Sequence, residues 1–100
     1  MKIQISLPFE KIKEFCKAHH VKELSLFGSV LHEGFKPESD VDVLVSFDPE
    51  ASINLMDLVE MRDELIILLK RDVDLVEKEA LSNPFLRHSI LNHKETIYAA

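Results

Sequence analysis

The stretch Asp40 to Phe47, DVDVLVSF, constrains the fold of this chain more than any other segment. Its side chains alternate: Val41, Val43 and Val45 leave one face, and Asp40, Asp42 and Leu44 the other, which is the period-two signature of a β-strand. A strand with one valine face must bury that face against another layer, so a sheet with a covering element is required. Asp72 to Glu77 repeats the pattern, with Val73 and Leu75 on one side and Asp72, Asp74 and Val76 on the other. Between the two, Asn54 to Lys70 is apolar enough for a long, largely buried helix, with Leu55, Leu58, Val59, Arg62, Leu65, Ile66 and Leu69 predicted as its inner face.

The remaining elements follow from periodicity and punctuation. Ser6 is the expected N-cap of a helix reaching about His19, with Phe9, Ile12, Phe15 and Cys16 facing inward. Glu23 to Phe27 reads as a short strand stopped by Gly28-Ser29, followed by one helical turn, Val30 to Glu33, ended at Gly34. Lys36-Pro37-Glu38-Ser39 is a turn leading into the DVDV strand, and Asp48-Pro49 breaks that strand. Asn83-Pro84 opens a last helix through Leu91, and Thr96 to Tyr98 is extended. The order is helix, strand, turn, strand, helix, strand, helix, strand, which predicts an α/β (α+β) fold, a mixed β-sheet flanked by helices.

Composition narrows the function classes. One hundred residues form one expected domain, residues 1–100, and 46% hydrophobic content with two glycines and four prolines excludes a disordered or collagen-like chain. The longest apolar run, Leu65 to Leu69, is far short of the ~20 residues of a membrane span. Met1 to Ser6 alternates instead of forming an apolar leader, and the lone Cys16 cannot form an intrachain disulfide, so a cytoplasmic, reducing location is expected. Twelve basic against eighteen acidic residues give a net charge of −6, with the cations scattered, which argues against direct nucleic-acid binding. Phosphate would have to be held by a cation or by backbone N–H groups.

Two features answer that requirement. Asp40 and Asp42 leave the same strand face roughly 7 Å apart, and paired carboxylates that repel one another favour a hard divalent cation, which also binds triphosphate oxygens. A third carboxylate on a neighbouring strand would complete a two-metal site, and Asp74, central in its strand, is preferred to Asp72, which adjoins Arg71. Gly28-Ser29, between a strand and a helical turn, offers close backbone approach and a hydroxyl for phosphate. The five histidines lack metal-ligand spacing, and Cys16, on the inner helix face, reads as core.

Leu26-Phe27-Gly28-Ser29, ten residues, Asp40-Val41-Asp42-Val43-Leu44-Val45 and the later Val73-Asp74-Leu75-Val76 together resemble the signature of the DNA polymerase β nucleotidyltransferase superfamily. The short chain most resembles its minimal nucleotidyltransferase (MNT) group, the antitoxins of HEPN/MNT toxin–antitoxin pairs. The resemblance covers about Val21 to Val76, and Glu95 to Tyr98 is similar to the group's ending. It implies a polymerase β-like nucleotidyltransferase fold and Mg²⁺-dependent transfer of AMP from ATP to a tyrosine of a partner HEPN ribonuclease, in a hetero-oligomer. By the same resemblance Asp40 and Asp42 hold two Mg²⁺ ions, Asp74 holds the ion that activates the acceptor hydroxyl, and Gly28 and Ser29 cradle the β and γ phosphates. One departure stands out: Val30-Leu31-His32 follows Gly-Ser where many members carry a small residue and then an arginine, so His32 would replace that contact. The alternative is an antitoxin that binds and occludes its toxin without chemistry. Transfer to RNA or to a small drug is disfavoured by the acidic charge and the lack of a second domain.

Overall fold

Residues 3–36 and 38–100 are described by the computed structural model. The elements run α1 (Phe9–Ala18), β1 (Val21–Phe27), a 3-10 turn (Gly28–Leu31), β2 (Val41–Phe47), α2 (Leu55–Leu69), β3 (Val73–Glu77), a second 3-10 turn (Lys78–Ala80), α3 (Pro84–Asn92) and β4 (Glu95–Ala99). The expectations that touch Met1, Lys2 and Pro37 lie outside the described residues. No described helix is long and apolar enough to cross a membrane.

The four strands form one sheet in the order β3-β2-β1-β4. β1 runs antiparallel to both β2 and β4, whereas β2 and β3 are parallel. A parallel pair needs a crossover, and α2 supplies it. Residues directly opposite one another share a sheet face, so Val41, Val43 and Val45 of β2 lie with Val73 and Leu75 of β3 and with Leu24 and Leu26 of β1. This face meets α1 and α2 in a core that includes Ile12, Phe15, Cys16, Met61, Leu65 and Leu69. Each such aliphatic side chain contributes roughly 1.5–3 kcal/mol on burial, which makes this layer the main stabilising element.

The second face carries Phe27, Asp42 and Asp74 in one row and Ser25, Leu44, Val76 and Thr96 in the next. Leu44 is 2% exposed and Ile90 of α3 is 8% exposed, yet neither belongs to the main core cluster. β3 and β4 occupy opposite edges, so the chain between them must cross the sheet. α3 makes that crossing, and the burial of Leu44 and Ile90 accords with its lying over the second face.

Local chemistry explains the helix ends, including two that differ from expectation. Asn54 caps α2 by accepting the Asp57 amide at 2.9 Å, and the Asp57 carboxylate accepts the Asn54 amide at 2.9 Å in return. Asn83 accepts the Phe85 and Leu86 amides at the start of α3. α1, in contrast, is not capped by Ser6: it begins at Phe9 after Pro8, which provides no side-chain cap. Phe9 is accordingly 59% exposed and not in the core. The turn after β1 ends at Leu31, ahead of Gly34, when His32 returns to extended backbone. The inner face of α2 keeps the predicted Leu65 and Leu69, with Leu58 and Ile66 packed partly buried against the core, but it takes in Met61, while Leu55 is 75% exposed and Val59 and Arg62 face solvent. A helix apolar on nearly every side leaves its phase to the packing partners.

Candidate active site

The antiparallel register sets Phe27 opposite Asp42, and the parallel register sets Asp42 opposite Asp74. Adjacent strands lie about 4.8 Å apart, so two carboxylates from segments distant in sequence emerge side by side on the second face. Asp40 lies one residue before β2 and is exposed. Its charge nevertheless reaches Asp42, whose carboxyl is raised above its ordinary value by burial first, then by Asp74 and Asp40. Asp72 behaves differently: it precedes β3, and its carbonyl accepts the Val41 amide at 2.9 Å.

Gly28 closes the site from the end of β1. Its φ of +76° lies in the left-handed region that favours glycine. A Cβ built there would collide with the nearer Asp42 carboxylate oxygen and stand 3.2 Å from the carboxyl carbon. The glycine is therefore required by the aspartate beside it. Ser29 is exposed in the first turn of the 3-10 segment, and its carbonyl accepts the His32 amide at 3.0 Å. His32 is itself exposed, at the residue after the turn.

All five residues singled out in the sequence thus belong to one end of the sheet, with Asp42 at the centre. Phe27, half-buried in the row with the aspartates, was not singled out; its two-residue spacing from Ser25 in β1 was the available signal. Among the described residues no Lys, Arg or His forms an ion pair with Asp40, Asp42 or Asp74. Nor do three His, Cys, Asp or Glu side chains among them converge into a preassembled metal cage. The donor set of hard carboxylate oxygens, with no cationic side chain among the described residues paired to it, fits a divalent cation of the Mg²⁺ type. A cleft of about 320 Å³, lined by Phe47, Pro49, Ile53, Glu77 and Glu79, is at the opposite ends of β2 and β3. Asp40 and Asp74 are exposed at the site end of the sheet.

Comparison with known proteins agrees with this geometry. Residues 10–100 match the family model described as polymerase beta, nucleotidyltransferase. The protein adenylyltransferase MntA of Thermococcus cleftensis is 35% identical over 85 residues, covering 77% of this chain and 84% of its own. A Methanocaldococcus jannaschii protein, provisionally named a protein adenylyltransferase, is 35% identical over 89 residues, covering 80% of this chain and 88% of its own. Among solved structures, a toxin–antitoxin complex with AMP-PNP superposes with a TM-score of 0.75 at 21% identity, over 94% of this chain and 75% of that one. The complex of a tri-AMPylated Shewanella oneidensis HEPN toxin with its MNT antitoxin superposes at 0.66 with 20% identity, over 92% and 70% of the two chains. These last two likenesses concern the fold.

Proposed function

The chain belongs to the polymerase β nucleotidyltransferase family, and from that premise we propose that it is an MNT-type antitoxin that transfers AMP from ATP to a tyrosine hydroxyl of a partner HEPN ribonuclease. The observation that carries the reading is the register of Asp42 with Asp74, at the level where Gly28 ends β1. It supports the reading by setting two of the three proposed acidic ligands side by side, next to the turn proposed to face phosphate.

In this reading Asp40, Asp42 and Asp74 hold two Mg²⁺ ions, which when bound neutralise triphosphate charge and lower the pKa of the acceptor hydroxyl. Gly28 lets the backbone approach the β and γ phosphates, with the Ser29 hydroxyl beside it. The tyrosine oxygen bonds to the α-phosphorus, the bond to the β-phosphate oxygen breaks, pyrophosphate leaves with the electron pair, and the phenolic proton passes to solvent. The positioning is done by the sheet, whose pairing fixes the carboxylates before substrate arrives. His32, exposed beside the turn, offers a protonatable phosphate contact.

A second reading, occlusion of the toxin without transfer, rests on His32 as the departure from the pattern that the family resemblance implies after Gly28-Ser29. The discriminating experiment is intact mass spectrometry of the co-expressed HEPN partner after incubation with this chain, ATP and Mg²⁺. Added AMP masses that disappear with the Asp40→Asn/Asp42→Asn variant support transfer; that variant should lose on the order of 10³-fold in rate, because metal binding supplies several kcal/mol. Modification retained by the double variant sinks the site assignment. An unmodified, tightly bound and silenced partner selects occlusion.

A further inference from the structure

The second sheet face holds an ionic arrangement that the proposed chemistry does not use. Glu23 of β1 receives Lys94 Nζ at 3.1 Å on one carboxylate oxygen and lies 3.8 Å from Lys78 Nζ on the other. Lys78 opens the 3-10 turn ahead of α3, and Lys94 follows α3 on the way to β4. One carboxylate on the central strand therefore grips both connections of the same helix. Lys94 also donates to Thr96 Oγ1 at 3.1 Å, and the buried Ser25 hydroxyl donates to the same oxygen at 3.3 Å.

The grip is not a surface ornament. The Lys94, Glu23 and Lys78 side chains are 17%, 26% and 30% exposed, so the pairing is partly shielded from water and salt. Burial by itself would raise the Glu23 carboxyl, but the Lys94 hydrogen bond and the charges of Lys94 and Lys78 outweigh it and hold the carboxyl below its ordinary value. α3 has little else to hold it: Ile90 is its single buried residue, Phe85 is 86% exposed, and its other anchor to the preceding turn is Arg87 Nη1 donating to the Lys78 carbonyl at 2.8 Å. Leu44, buried on the second sheet face, stands two residues along the same strand face from Asp42.

We infer that Glu23 is a positioning residue, a two-ended latch that holds α3 across the second sheet face and so fixes the wall beside the Asp42–Asp74 site. The consequence for nucleotide binding rests on the function proposed above; the latch itself does not. A freed α3 leaves Leu44 exposed and the wall undefined, which weakens nucleotide binding without removing any group that touches the reacting atoms.

The test uses the full chain with Glu23→Gln, and Lys94→Met as an independent release of the other end. Amide hydrogen exchange of Arg87 to Asn92 should accelerate by about tenfold or more in both variants, while Val43 and Val45 keep their protection. Unchanged α3 exchange overturns the latch, as does equal acceleration of the sheet amides, which would signify general loss of stability. With MgATP, Glu23→Gln should raise KM several-fold and leave kcat within about twofold; an unchanged KM overturns the positioning role. If the wild-type chain does not bind MgATP, the proposed function fails, and with it the positioning role, whereas the latch is still decided by exchange.

Discussion

Replacing Gly28 with alanine tests the geometry of the site at its tightest point. Two penalties are separable. The backbone at φ +76° costs an L-residue roughly 1–2 kcal/mol. The new methyl group also collides with the Asp42 carboxylate, which must leave its rotamer at a further cost of about 0.5–1.5 kcal/mol. The sum, about 1.5–3.5 kcal/mol, corresponds for a chain of this size to a loss of roughly 6–28 °C in melting temperature. Gly34→Ala is the internal control, because a Cβ at Gly34 meets nothing within 4 Å and its φ lies outside the left-handed region. It should leave stability within about 1 kcal/mol of wild type. Calorimetry would be run on both alanines and again in an Asp42→Ala background, where removing the carboxylate should reduce the Gly28 penalty to the backbone part alone. The reasoning is refuted if Gly28→Ala melts with Gly34→Ala. It is also refuted if Asp42→Ala leaves the full penalty in place, since the clash would then not be with that carboxylate.

Three further outcomes are expected. Asn54→Ala removes the reciprocal cap of α2 and should cost about 1 kcal/mol in urea unfolding, whereas Asn54→Ser, which keeps a side-chain acceptor at the cap, should retain most of that stability. Asp42→Asn should raise the melting temperature of the protein in EDTA at pH 7, because it removes a partly buried charge that faces two like charges, and should abolish the extra stabilisation seen on adding Mg²⁺; a lowered melting temperature in EDTA would count against the electrostatic account. The Cys16 thiol, fully buried and pushed up to about 12 by that burial, should resist alkylation at pH 8 in the native state and react only at the rate of unfolding.

How much of this was legible in the sequence depended on whether the information was local. The alternation of valine and aspartate in β2 and β3 named the strands and the faces, because period two admits one register of in and out. Gly28 was recognisable as a site where backbone approach is close, although its neighbour across the sheet was not. α2 was recognisable as a helix, but its inner face only in part: Leu58, Leu65, Ile66 and Leu69 turn inward as expected, whereas with Leu55, Met56, Val59 and Ile67 also apolar the edges of the stripe are set by α1 and the sheet. Ser6 was a reasonable cap by residue type, but Pro8 starts the helix two positions later. The Glu23–Lys94 pair joins residues 71 positions apart, and no local pattern announces such a contact.

The parallel pairing of β2 with β3 also sets a timetable. During synthesis Asp40 and Asp42 appear first, yet Asp74 cannot come beside them until all of α2 and β3 have been made and the crossover has closed. Closing such a loop is among the slower events in folding, since its entropy is lost before the strand pairing compensates. A ribosome-bound fragment therefore holds two of the carboxylates without the third. On the proposed function, the full set of acidic groups exists only once the sheet is finished, so cation binding would report that the chain has completed its fold.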